Sequence, residues 1–188
     1  MRIIAGSARG RHIDAPEGME TRPTLERVKE SFFGTIQFDI SGRTVLDLFA
    51  GSGNLGIEAL SRGAEFAYFC DMQRSCCVLI EANLKKLGMT NACVGNCTWN
   101  VFVSMLKTKG VKVGLVFLDP PYASGLVQDA IDSLCENDLL TGDAIIVAEH
   151  SKAQAIEPHE GLYVHSCKTY RDTAVTILKK VSEPTLSE

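Results

Sequence analysis

The strongest restriction on the fold of this 188-residue chain is the junction at Thr44-Val45-Leu46-Asp47-Leu48-Phe49, which runs straight into Ala50-Gly51-Ser52-Gly53-Asn54-Leu55-Gly56. An unbroken apolar run of this kind suits a strand buried on both faces, as in a parallel sheet. The G-x-G-x-x-G that follows opens a segment of helical periodicity over 54–62, stopped at Gly63. A strand, a glycine turn and a helix in that order are the first half of a βαβ unit. The pattern then repeats: strands over 66–70, 91–94, 113–118 and 144–148 alternate with helices over 73–87, 98–108 and 126–136. Upstream, Leu25, Val28, Phe32, Phe33 and Ile36 recur at helical spacing, with Thr24 placed as the N-cap. At the other end, strands over 163–170 and 173–180 are joined by Arg171-Asp172 alone, too short for a helical crossover, so they form an antiparallel hairpin. The expected fold class is α/β: a doubly wound, mostly parallel, seven-stranded sheet with a C-terminal antiparallel hairpin and a small N-terminal extension.

Composition sets wider bounds. With 45% hydrophobic and 22% charged residues the chain is an ordinary globular one. It holds no apolar run near the ~18 residues of a membrane span, and its first residues carry no signal-peptide core, so the expectation is a cytoplasmic protein. Seven cysteines without a Cys-x-x-Cys pair are expected to be reduced, buried thiols, and no metal site is expected. The formal charge of −4 argues against a protein coated in nucleic acid, yet residues 1–13 hold Arg2, Arg9, Arg11 and His12 with no acid. That patch is either a solvated arm or a contact for an anionic partner. Residues 2–14 read as short strands about a turn at Gly6-Ser7-Ala8-Arg9-Gly10, and 182–188 as a frayed tail.

Two places carry chemistry. The strand Val113-Gly114-Leu115-Val116-Phe117-Leu118 ends in Asp119-Pro120-Pro121-Tyr122. Proline has no N–H for the ladder and fixes its own φ, so the chain leaves the sheet at Asp119 on a stiff turn. The turn offers a carboxylate, proline carbonyls and an aromatic face, which suits a planar molecule with an exocyclic amine, such as a nucleobase. The plainer alternative is a proline-stopped strand with an aromatic lid. At the Gly51 loop, Asp71 follows Gly51 by twenty positions, where a ribose-binding acid is expected. Asp47 faces the same pocket. A carboxylate there repels a pyrophosphate but attracts a cationic amino-acid group, such as the ammonium end of S-adenosylmethionine; the alternative is an acceptor for loop amides. Ligands of open α/β sheets lie beyond the carboxyl ends of the strands, so the Gly51 loop, Asp71 and Asp119 should line one crevice.

The segments Asp-Leu-Phe-Ala-Gly-Ser-Gly (47–53) and Asp-Pro-Pro-Tyr (119–122) resemble the class I methyltransferases that act on exocyclic amines. Further segments narrow the resemblance: Arg-Ile-Ile-Ala-Gly with Arg-Gly-Arg (2–11), Thr-Arg-Pro-Thr (21–24) and Leu-Gly-Ile-Glu-Ala-Leu-Ser-Arg-Gly-Ala (55–64). They are similar to the bacterial small-subunit ribosomal RNA guanine-N2 methyltransferases of the RsmD type, over residues 2 to about 180. The resemblance implies S-adenosylmethionine as cofactor, held by Asp47, Phe49, Ala50, Gly51, Ser52, Gly53, Asn54, Gly56, Asp71, Met72, Asn96 and Cys97, with Asp119 beside it. It implies Asp119, Pro120, Pro121 and Tyr122 as the catalytic turn, and Arg9, Arg11 and Arg22 on RNA phosphates. Three positions depart from the family pattern: Asp71 stands for the usual Glu, Asn96 for an Asp, and Arg171 for a turn Gly.

On this reading residues 1–24 are a basic arm or hairpin for RNA and 25–181 the catalytic domain, a monomer whose partner is ribosomal RNA, free or in a partly assembled small subunit. Hydrogen bonds from the amine to Asp119 and the Pro120 carbonyl orient it and favour its attack on the sulfonium methyl, while Tyr122 stacks on a base turned out of the RNA. Arg22 has an alternative partner in Glu26 on the following helix. Other readings are an adenine-N6 methyltransferase, a non-catalytic assembly factor that holds RNA, and, on the Gly51 loop alone, a nicotinamide dehydrogenase.

Overall fold

The computed structural model describes residues 1–16, 23–121 and 125–181, and of 23–25 the backbone alone. The expected positions Arg22 and Tyr122 and the tail 182–188 therefore lie outside the described residues. In chain order the elements are α1 (Pro23–Thr35), β1 (Thr44–Asp47), α2 (Asn54–Ser61), β2 (Phe66–Asp71), α3 (Arg74–Leu87) and β3 (Ala92–Asn96). They continue with α4 (Trp99–Thr108), β4 (Val113–Leu118), α5 (Leu126–Glu136), β5 (Leu140–Ser151), β6 (Leu162–Thr169) and β7 (Thr173–Lys180). They build one seven-stranded sheet in the order β3-β2-β1-β4-β5-β7-β6. Strands β1 to β5 run parallel, and β7 inserts antiparallel between β5 and β6.

Strand alternation divides the core into two layers. Val45, Phe69, Phe117 and Val147 face α1, α2 and α3, whereas Leu46, Cys70, Val116 and Ile146 face α4 and α5. On the first face the rings of Phe33 and Phe117 lie 5.4 Å apart, and Phe32 stands 4.8 Å from Phe33. Each fully buried side chain of this size contributes about 1.5–3 kcal/mol. Phe33 also carries the Arg62 guanidinium at 4.6 Å from its centroid, which ties α1 to the end of α2.

Three sequence expectations about element ends change. Helix α1 opens at Pro23, so Thr24 is its second residue and not its N-cap; proline suits the first helical position because an N–H there has no intrahelical partner. Strand β1 closes at Asp47, and the Leu48 and Ala50 amides then donate to Phe117 at 3.2 Å and to Cys70 at 2.9 Å, bracing the turn against both neighbouring strands. Strand β5 begins at Leu140, earlier than the apolar run suggests. Leu140 pairs with Val113 across a register shift, so polar Thr141, Gly142 and Asp143 are carried in a strand that reads as a loop.

The N-terminal residues form the expected hairpin but are a wall of the core, not a free arm. Arg2 and His12 bridge, and the Met1 ammonium donates to the Ile13 carbonyl at 3.0 Å. Ile3, Ala8 and Ile13 are buried with α2 and α3. Gly6 has φ +84, and a Cβ there would stand 1.8 Å from the Ser61 carbonyl oxygen, so only glycine lets the hairpin close on α2.

Candidate active site

The register places the acidic side chains. Asp47 of β1 lies level with Phe69 of β2 and Phe117 of β4, and Phe117 is level with Val147 of β5. All four belong to the face covered by α1 and α2. Two residues further along their strands, and so on the same face, stand Asp71, Asp119 and Glu149. Four carboxylates thus converge at the carboxyl ends of four neighbouring strands, where an open α/β sheet binds its ligands.

The glycine turn is held by two of them. Asp47 is buried, and its Oδ2 accepts from the Gly56 amide at 2.9 Å, the loop-amide alternative of the sequence reading. Burial pushes its carboxyl up to about 7; Asp71 adds to the shift, while the Gly56 amide and Lys29 oppose it. Asp71 accepts from the Gly51 amide through Oδ2 at 2.9 Å and from the Gln73 amide through Oδ1 at 2.8 Å. It therefore shapes the loop as well as facing the crevice. A Cβ on Gly56 would stand 2.3 Å from the Phe69 ring, which explains a glycine where α2 meets β2. A Cβ on Gly51 would meet nothing within 4 Å, so the loop backbone is open on the ligand side.

The remaining cofactor candidates divide. Met72 is 71% exposed at the end of β2, and Asn96 beside it donates to the Asp71 and Met72 carbonyls at 3.1 Å each. Its side-chain carbonyl is then the accepting atom. Cys97 receives the Cys70 thiol on its main-chain oxygen at 3.4 Å. Phe49 and Ala50 pack into the core beneath the turn, and Gly53 caps α2 at φ 78. The Ser52 hydroxyl points to the Met1 sulfur, 3.5 Å away, and so not into the crevice. Asn54 Oδ1 accepts from Lys29 at 2.6 Å.

Just past β4, Asp119 is exposed, Pro120 buried and Pro121 exposed. Asp119 is pushed above the usual carboxylate range by the crowding of surrounding protein, then by the charges of Glu149 and Asp47. Water reaching the exposed side chain opposes the first cause, so the neighbouring charges carry the weight. Glu149, half-buried, is itself pushed up by burial, while Thr173 and His150 pull it down. Of the arginines expected on RNA, Arg9 is exposed. Arg11, also exposed, caps α3, donating to the Leu87 carbonyl at 3.2 Å and to that of Lys86.

Sequence reasoning missed a buried polar network behind the glycine turn. Lys29 of α1 pairs with Glu58 of α2 at 2.9 Å, and Arg62 reaches the other Glu58 oxygen at 2.8 Å. The same carboxylate accepts from the Ile4 and Ala5 amides at 2.9 and 3.0 Å. Burial pushes Glu58 up, but Lys29, the Ile4 amide and Arg62 outweigh it and hold it below the usual range. Buried Asn83 accepts from the Asp14 amide at 2.8 Å and donates to the Asp14 and Ser52 carbonyls at 3.0 and 3.1 Å. One signal was available: Lys29 stands four residues from both Leu25 and Phe33, on the apolar stripe of α1. A cavity of about 420 Å³ lined by Arg43, Thr44, Lys112 and Gly114 lies at the opposite, amino ends of β1 and β4, away from these groups.

Comparison with known proteins gives the family of the chain. The model of the family described as "Conserved hypothetical protein 95" matches residues 1–179. Ribosomal RNA small subunit methyltransferase D of Escherichia coli K12 is 40% identical over 149 residues, 79% of this chain and 74% of that protein. The Bacillus subtilis protein YlbH is 39% identical over 183 residues, 96% of this chain and 99% of that protein. Among solved structures, yhhF from Escherichia coli superposes with a TM-score of 0.88 at 34% identity, covering 97% of this chain and 99% of that one. The crevice at the carboxyl ends of β1, β2 and β4 is thus that of a chain belonging to the conserved hypothetical protein 95 family, the family of the RsmD-type methyltransferases.

Proposed function

We propose that the protein transfers a methyl group from S-adenosylmethionine to the exocyclic N2 amine of a guanine in small-subunit ribosomal RNA. The observation that carries this reading is that Asp119, on its proline turn, shares one face and one row of the sheet with Asp71, which holds the Gly51 loop. An amine-accepting turn and an open glycine loop thus serve a single crevice. The names of the relatives support the choice of ribosomal RNA.

The residues present fit the cofactor: the Gly51 backbone is open, buried Asp47 suits its ammonium group, Asp71 the ribose, and Met72 with Asn96 the adenine. When bound, S-adenosylmethionine supplies an electrophilic methyl group on a sulfonium centre. Asp119 and the Pro120 carbonyl accept the two amine hydrogens, fix the nitrogen, and favour its lone pair leaving conjugation with the purine ring. The negative charge of Asp119 stabilises the positive charge that grows on that nitrogen. Tyr122 is the stacking face for a base turned out of the RNA, and Arg9 and Arg22 contact phosphates. Buried Lys29, through Asn54, and Asp47, through Gly56, keep the first turn of α2 in place. The enzyme acts as a monomer in the cytoplasm, on RNA that is free or partly assembled with protein.

Incubation with labelled S-adenosylmethionine, on deproteinised small-subunit RNA and on small subunits side by side, tests the proposal by nucleoside analysis. N2-methylguanosine is expected, with Asp119→Ala slower by at least about 100-fold at unchanged cofactor affinity. N6-methyladenosine, or no labelled base on either substrate, would overturn it.

A further inference from the structure

Glu149 belongs to none of the motifs that point to the crevice, yet it is the residue set closest to Asp119 by the sheet itself. Leu118 and Ala148 are registered partners on adjacent parallel strands. Asp119 directly follows the last residue of β4 and Glu149 follows Ala148 within β5, one step past a pair of strands that lie about 4.8 Å apart. Alternation turns Glu149 to the same face as Val147, the face on which Phe117 and Asp47 lie. The residue is half-buried, and of the two carboxylates whose charge acts on Asp119 it has the larger effect, ahead of Asp47. His150, the next residue, turns to the other face, where its Nε2 meets the Thr176 hydroxyl at 2.8 Å; together with a hydrogen bond from Thr173 it favours the ionised Glu149 carboxylate without cancelling the effect of burial.

Two carboxylates side by side repel each other unless something donates hydrogen bonds to both. Guanine does: its Watson–Crick edge presents N1–H directly beside the N2 amine. Adenine does not, because the atom beside its N6 amine is N1, an acceptor. Resting on the guanine reading above, we infer that Glu149 reads the base: its carboxylate accepts N1–H while Asp119 and the Pro120 carbonyl take the N2 amine. Glu149 then fixes which purine is methylated and in which orientation its amine is presented. An adenine would set its N1 lone pair against a carboxylate with no proton between them, a rejecting contact. The half-burial of Glu149 strengthens this discrimination, since a partly desolvated acceptor left without its donor is costly.

The test separates base reading from a general effect on Asp119. The wild-type enzyme is first used to map the modified guanine in small-subunit RNA. That RNA is then assembled by ligation with guanine or 2-aminopurine at the mapped position. 2-Aminopurine keeps the 2-amino group but carries an acceptor at N1. The wild type is expected to prefer guanine in kcat/KM by on the order of 100-fold or more. Glu149→Gln can accept from N1–H or donate to a bare N1, so its preference is expected to fall to within about tenfold. S-adenosylmethionine affinity and melting temperature should stay near wild type in Glu149→Gln and Glu149→Ala. A wild type indifferent to the two bases would overturn the inference. So would a variant preference equal to that of the wild type, or equal loss on both bases in the two variants, because a residue acting only through Asp119 lowers both rates alike. Should the wild type label no guanine at all, the guanine reading fails at the mapping step, before any variant is compared.

Discussion

Lys29 of α1 and Glu58 of α2 form a 2.9 Å ion pair with the two side chains 5% and 0% exposed, and the Glu58 carboxylate also holds the N-terminal hairpin through the Ile4 and Ala5 amides. Three parts of the chain meet on one group. Removing one partner leaves the other charged and buried, a loss of about 3–5 kcal/mol. Urea unfolding of Glu58→Gln and Lys29→Met should show losses of this size, and the Glu58→Gln/Lys29→Met double variant should lose less than the sum of the two single changes. Since the Glu58 carboxyl is held below its ordinary range, its contribution is full above that range and is lost as pH falls through its lowered folded value. The Glu58→Gln variant should therefore show a shallower acid transition than the wild type.

Asp47 behaves in the opposite sense. Its folded carboxyl is raised to about 7, so between its ordinary value and 7 the folded state holds a proton that the unfolded state gives up, and stability falls as pH rises through that window. A cationic ligand needs the ionised form. Affinity for S-adenosylmethionine, measured by calorimetry, should rise about tenfold from pH 6 to pH 8, following the ionised fraction. Asp47→Asn keeps an acceptor for the Gly56 amide and should bind weakly with a flat pH profile.

Gly56→Ala places a methyl group 2.3 Å from the Phe69 ring in a packed interface. Overpacking of this kind costs about 1–3 kcal/mol. Because Gly56 also donates to Asp47, the thermal shift should come with weaker cofactor binding. A variant that loses stability but binds as the wild type would show that the loop does not depend on this contact.

Tyr170, just past β6, has a buried hydroxyl without a hydrogen-bond partner among the described residues. Tyr170→Phe removes an unsatisfied polar atom and should leave the melting temperature unchanged or raise it, by about 1 kcal/mol of stability at most. A clear loss of stability would show that the hydroxyl has a partner in solution.

Much of this was legible in the chain. Gly63 follows the end of α2 at φ 95, the stop expected there, and the two-residue link at Arg171-Asp172 forced the reversal of β7. The glycine turn, Asp71 and Asp119 all come after strand ends, so their convergence followed from the α/β class. Glu58, Arg62 and Asn83 were not legible, because a polar residue on an amphipathic helix reads as a solvent-facing one until a neighbouring segment is known to cover it. Here the covering segment is the N-terminal hairpin, whose basic composition suggested an arm turned toward a partner. Glu149 was hidden for a different reason: it ends an apolar strand without a turn motif, and only the register of β5 against β4 brings it beside Asp119.

The insertion of β7 between β5 and β6 also sets an order of events during synthesis. β6 leaves the ribosome before the strand that flanks it, and β5 has an open edge facing the same gap. At ~5–20 residues per second this lasts on the order of a second. During that interval two strands with unpaired backbone edges are available to any passing β-structure, the usual opening for aggregation. Both close together when Thr173–Lys180 slides in, so damage to that strand leaves two strands, β5 and β6, without the neighbour between them.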